Sequence, residues 1–172
     1  MKSPRLASLL LPFDAFDTRT HQVMGRRVAG SSFAQGLAAS LKPGDQLKMF
    51  TGSRKALPVL QTLLKPVLRP GAQVTLHADL DPALIAESGC LHLPDPGLHH
   101  WCWLRADGFS SSFSLTGVTH TLCSHQVMQG LEQLVTAPLE PWDALVCTSS
   151  SARTVVRDQC PEGSAEAGDL WR

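Results

Sequence analysis

Apolar positions along this chain alternate between short runs of strand length and stripes of helical spacing. Residues 6–11 form a continuous apolar run, the pattern of a strand buried on both faces. Residues 46–51 alternate, and residues 72–77 keep a clean period of two, so both read as strands. Residues 90–94 make a short fourth strand. Phe113, Leu115 and Val118 mark a fifth, and residues 144–147 a compact sixth. Helical stripes lie between them. Phe33, Leu37, Ala38 and Leu41 share one side of a segment that stops at Pro43 and Gly44. Leu57, Leu60, Leu63 and Leu64 make a second stripe, interrupted by Pro66, and Asp81 followed by Pro82 opens a third helix that Gly89 closes. Val127, Met128, Leu131, Leu134 and Val135 form the next stripe. Hydroxyls at Thr148, Ser149, Ser150 and Ser151 stand where a last helix, with Val155 and Val156, needs capping. Strands alternating with helices predict an α/β fold: a Rossmann-like three-layer sandwich with a mainly parallel sheet of about six strands.

Two stretches break the pattern. Residues 95–112 are irregular, with Pro96, Gly97, His99, His100, Trp101, Trp103 and Gly108 on a loop and short helix. Aromatics there are expected first to close one end of the core and only second to recognise a ligand. From residue 159 all periodicity is lost. The organisation predicted is one Rossmann-like domain over 1–158 and an irregular, disordered tail over 159–172.

Composition sharpens this picture little. A chain of 172 residues, 43% hydrophobic and 17% charged, suits one globular domain. Fifteen basic residues balance fifteen acidic ones, so no net field recruits nucleic acid. The five cysteines read as reduced thiols of a cytoplasmic protein, with Cys147 and Cys123 in apolar strand surroundings. Pro12 and Asp14 break the first apolar run before it reaches signal-peptide length. No segment approaches the ~20 apolar residues of a membrane span.

Chemistry is expected at the carboxyl edge of the sheet, where loops and helix starts of parallel folds converge. Thr119, His120 and Thr121 fall at that edge, as do Thr148, Ser149 and Ser150. His120 follows a buried strand, and an imidazole there could exchange a hydrogen bond with a hydroxyl or a phosphate. Asp14 and Asp17 follow the first strand and are acid/base candidates, with solvated loop acids the plainer reading. Gly30, Ser31 and Ser32 at a helix start could offer N–H groups to an anion, or serve as an ordinary cap. Cys90, His92, His99, His100 and Cys102 have ligand chemistry, but their spacing matches no common zinc signature, so no metal is expected. The glycine-rich dinucleotide fingerprint, the phosphate-binding loop and the Gly-x-Ser-x-Gly elbow do not occur, and no cofactor is expected.

Gly117-Val-Thr-His-Thr121 followed by Pro141-Trp-Asp-Ala-Leu-Val-Cys-Thr-Ser149 resembles the N-terminal domain of GT-B glycosyltransferases, in the large retaining family that uses sugar nucleotides. The resemblance covers roughly residues 6–158. It implies an acceptor-side domain in which His120 contacts the sugar and residues 30–32 form the loop lying against donor phosphates. Asp14, Thr119, Thr148 and Ser149 join these as binding residues. The partners implied are a sugar acceptor, a nucleotide sugar and a chain supplying the donor domain, because this sequence ends where that domain would begin. Such a half would turn over weakly or not at all alone, since the donor phosphates lack their charge partners. Two other readings stand beside it: a non-catalytic Rossmann-like binding module, and a small enzyme of another type using His120 with Asp14.

Overall fold

The computed structural model of the chain describes residues 6–19, 25–120 and 122–160. His21, Thr121 and the tail from Pro161 onward lie outside them. Six strands hydrogen-bond in the order β3-β2-β1-β4-β5-β6, and the paired strands run parallel. Seven helices are interleaved with them among the described residues. This is the Rossmann-like three-layer α/β class that the alternation predicts. Contacts divide the chain into two units, Met1–Gly89 and Cys90–Arg172, each carrying three strands. No linker composition marks that division in the sequence.

The first unit holds β1 (Ser8–Leu10), α1 (Phe13–Phe16), α2 (Gly25–Ser40), β2 (Gln46–Phe50), a 3-10 turn over Arg54–Ala56, α3 (Leu57–Leu64), β3 (Gln73–His77) and α4 (Pro82–Ser88). All three residues of β1 are buried, as its unbroken apolar run requires. β2 and β3 pair in parallel from Gln46 with Gln73 to Phe50 with His77. The core gathers Leu9, Leu11, Phe16, Leu41, Leu47, Met49, Leu60 and Leu64. Both ends of α4 obey local rules. The Asp81 carboxylate accepts the Ala83 N–H at 2.9 Å, and Gly89 closes the helix in the left-handed region at φ 75°.

α2 departs from expectation. It begins at Gly25, so Gly30, Ser31 and Ser32 lie inside the helix and not in a loop at its start. Their N–H groups point along the axis toward carbonyls one turn back. The buried side is a stripe of small residues, Gly30, Ser31, Ala34 and Ala38, while Phe33 is 48% exposed. A Cβ at Gly30 would stand 2.2 Å from the Ala15 carbonyl oxygen. α1 therefore approaches too closely for a large side chain, and the aromatic ring turns outward.

The second unit holds β4 (Cys90–His92), α5 (Leu98–Ala106), β5 (Ser114–Val118), α6 (His125–Leu134), β6 (Ala144–Val146) and α7 (Ser150–Gln159). The stretch read as irregular contains a nine-residue helix, α5. Trp101 is buried on it, which agrees with the packing role, whereas Trp103 is 58% exposed. Gly117 permits a close approach: a Cβ there would lie 2.6 Å from the Asp95 carbonyl oxygen. Cys123 is exposed between β5 and α6, outside the apolar strand expected for it, and Cys147 is half-buried just beyond β6.

A buried ion pair ties this unit together. Arg105 and Asp143 are 1% and 3% exposed. Arg105 Nη1 donates to Asp143 Oδ1 at 2.6 Å, and Nη2 to Oδ2 at 2.7 Å. The guanidinium also donates to the carbonyls of Phe113 at 3.1 Å and Pro138 at 3.2 Å. The carboxylate in turn accepts the N–H groups of Leu115 at 2.7 Å and Glu140 at 2.9 Å. One pair thus joins α5, the start of β5 and the approach to β6, with every charge hydrogen-bonded. Asp143→Ala would leave the guanidinium buried without its counter-charge, at a cost of about 3–5 kcal/mol. Urea unfolding should show this loss, while Trp103→Ala should stay within about 0.5 kcal/mol of the parent. Equal effects would contradict the assignment.

Candidate functional site

Parallel pairing sets the geometry of the second unit's carboxyl edge. β5 and β6 run side by side with Val118 opposite Val146, so the chain after each strand emerges at the same rim. Thr119 fastens the two exits together. Its N–H donates to the Val146 carbonyl at 3.0 Å, and its Oγ1 accepts the Thr148 N–H at 3.1 Å. The two threonine hydroxyls are 3.3 Å apart. Thr119 is wholly buried and works as a clasp, so its hydroxyl is already committed.

His120, the next residue, is exposed at this rim. Ser149, also expected to act here, caps α7: its Oγ accepts the Ala152 N–H at 3.1 Å and its carbonyl accepts the Arg153 N–H at 3.0 Å. Ser124 does the same for α6, accepting the Val127 N–H at 3.2 Å. Each helix follows its strand by a short connection, so both N-termini face the edge where His120 stands. Thr148, Ser149 and Ser150 are all exposed. The structure therefore brings together His120, Thr119, Thr148 and Ser149 as the spacing suggested, with two of them acting primarily in the architecture.

His92 belongs to the same edge. It pairs with Thr116 in the β4–β5 register, and its Nδ1 lies 2.9 Å from the Thr116 hydroxyl oxygen. Burial pushes its pKa below the ordinary 6.5, and the charge of His120 adds to that shift. Sequence reasoning weighed His92 only as a metal ligand. The signal that could have found it was its place at the last residue of a strand next to β5. Among the described residues no three His, Cys, Asp or Glu side chains cluster as a metal would require. Cys102, packed near Arg105 and Asp143, has its thiol pushed up to about 12, chiefly by burial. It is an inert core thiol.

The remaining candidates belong to the first unit. Asp14 is exposed on α1 and forms an ion pair with Arg26, while Arg27 Nε donates to the Asp14 carbonyl at 3.2 Å. Asp17 is buried and held by Arg19, whose Nε donates to Oδ1 at 2.8 Å and Nη2 to Oδ2 at 3.2 Å. That hydrogen bonding keeps its carboxyl below the usual carboxylate range, which suits a fixed anion better than a base at neutral pH. Beside it lies a cleft of about 400 Å³, walled by Phe16, Pro58, Val59 and Leu63. Ser31 is buried and its Oγ accepts from Gln35 Nε2 at 3.1 Å, while Ser32 is exposed on the helix surface. With residues 30–32 inside α2, the anion-binding loop expected there is not formed by them.

Compared with protein-family models, with curated proteins and with solved structures, the chain matches none.

Two outcomes follow from the rim. Thr119→Val removes the acceptor of the Thr148 N–H and Ser149→Ala removes a helix cap, so each should cost about 1–2 kcal/mol in chemical denaturation. No loss for Thr119→Val would mean the clasp holds nothing. Acid should act through the histidines. The pKa values of His92 and His99 are both lowered from 6.5, chiefly by burial, so the unfolded chain takes up protons more readily than the folded one. Their contribution is intact above about pH 6.5 and is lost as pH falls below it. His92→Asn should flatten the fall of Tm between about pH 7 and pH 5; an unchanged slope would exclude His92 as a cause.

Proposed function

We propose that this chain is the acceptor-side half of a GT-B-type glycosyltransferase, binding a sugar acceptor at the carboxyl rim of its second unit. The observation that carries the reading is the parallel register of β5 and β6, with the Thr119–Thr148 clasp and His120 at one edge. In this scheme His120 hydrogen-bonds an acceptor hydroxyl, and the exposed Thr148 and the α7 N-terminus contribute polar contacts beside it. A nucleotide sugar would be held by a partner chain carrying the donor domain, as the resemblance implies. Catalysis requires interactions stronger in the transition state than in the ground state, and those would come from that partner.

A non-catalytic binding module is the second reading. It is favoured by the state of the carboxylates: Asp17 is locked to Arg19, Asp14 pairs with Arg26, and Asp143 is buried against Arg105. None of these is a free base beside His120.

Saturation-transfer NMR with a panel of glycosides and sugar nucleotides tests the first reading. Sugar protons should receive saturation from the chain, and His120→Ala should weaken binding about tenfold, the value of one lost hydrogen bond to a polar ligand. No contact with any sugar or nucleotide would overturn it. Unchanged binding by His120→Ala would remove that side chain from the site. Release of nucleoside diphosphate by the chain alone would overturn the need for a partner, while binding without turnover in any mixture would favour the module.

A further inference from the structure

A second cleft opens in the first unit, between the end of α3 and the edge strand β3. It encloses about 520 Å³, within the range of small-molecule sites. Its lining is mainly apolar: Leu64 and Ala72 are buried in it, and Leu68, Val74 and Leu76 are half-buried. β3 stands first in the strand order, so among the described residues no further strand closes this side.

Two charged residues line the cleft, Lys65 and Arg69, and both are cations. Both are exposed, and among the described residues neither is ion-paired. Lys65 stands at the carbonyl end of α3, where a cation offsets the helix dipole. Arg69 lies beyond that last turn, so the dipole does not account for it. The backbone that carries Arg69 is held in place. The Ala72 N–H donates to the Arg69 carbonyl at 3.2 Å, across a turn with Pro70 and Gly71 at its corner and Gly71 at φ 83°. The Gly44 N–H in turn donates to the Gly71 carbonyl at 2.7 Å.

We infer that this cleft binds a free carboxylic acid with a hydrocarbon tail, a ligand of the fatty-acid type. The apolar lining removes the tail from water, and Lys65 and Arg69 meet the carboxylate at the mouth. Two like charges brought to one cleft repel, and an anion between them replaces repulsion by attraction. An amine of the same length meets the repulsion instead. Charge complementarity therefore selects the occupant. The inference concerns the first unit and does not rest on the sugar reading.

Isothermal titration calorimetry of the full chain with decanoate, kept below its micelle concentration, tests it. The expected result is saturable binding at one site. Each methylene removed on going from decanoate to octanoate should weaken it about fourfold, and decylammonium should bind at least about tenfold more weakly. The double variant Lys65→Gln, Arg69→Gln should also weaken decanoate about tenfold, with circular dichroism unchanged because both side chains are exposed. Lys55→Gln removes the same charge at an exposed position outside the cleft and should leave the affinity as it was. Absence of saturable heat with decanoate would overturn the inference. So would equal affinity for decylammonium, unchanged binding by the double variant, or an equal loss on Lys55→Gln. Capture of the chain by phosphatidylglycerol vesicles without decanoate binding would overturn it too, in favour of a lipid surface.

Discussion

The second unit depends on one buried ion pair. Arg105 comes from α5 and Asp143 from the residue before β6, and neither could be buried without the other. Because Asp143 also takes the Leu115 N–H, the pair fastens the start of β6 to the start of β5. Register chosen at that end is transmitted along both strands, since a parallel ladder advances residue for residue. Three residues on, Val118 stands opposite Val146, and the chain exits directly beyond them. The Thr119–Thr148 clasp at the rim is thus a consequence of charge pairing at the opposite end of the strands. β4 and β6, three residues each on either side of the five-residue β5, make few ladder bonds to resist slippage. The buried pair supplies what strand length does not.

At the rim, architecture and chemistry share residues. Thr119 and Ser149 spend their hydroxyls on holding loop and helix, leaving His120 and Thr148 as the groups turned to solvent. Rigidity behind an exposed side chain reduces the ordering cost of binding. His92 sits one strand away with its imidazole favoured neutral by burial, and His120 contributes to that preference by proximity.

The first unit follows a different rule. Its long helix α2 fully buries only glycine, serine and alanine, with Leu37 half-buried against the core and Phe33 exposed, and the Ala15 carbonyl lies too close to Gly30 for a side chain there. Close backbone approach then takes the place of side-chain interdigitation. Because α2 already begins at Gly25, residues 30–32 lie in a helix interior and form no anion-binding loop. Asp17, a candidate base by position, is instead held as an anion by Arg19.

Local rules were legible in the residues themselves. Unbroken apolar runs announced buried strands, Asp81-Pro82 with Gly89 announced both ends of α4, and the hydroxyls at 148–151 announced the cap of α7, which Ser149 makes. Each rests on interactions within a few positions, so the sequence alone determined them, and with them the strand–helix alternation of the fold. The placement of Thr119, His120 and Thr148 at one edge was also legible, because parallel strands share their direction. What only the tertiary structure decided are long-range matters: the partnership of Arg105 with Asp143 across 38 positions, the phase of α2, the outward turn of Phe33 and the arrival of His92 beside Thr116. Each depends on which surfaces come within contact distance, and periodicity carries no information about that.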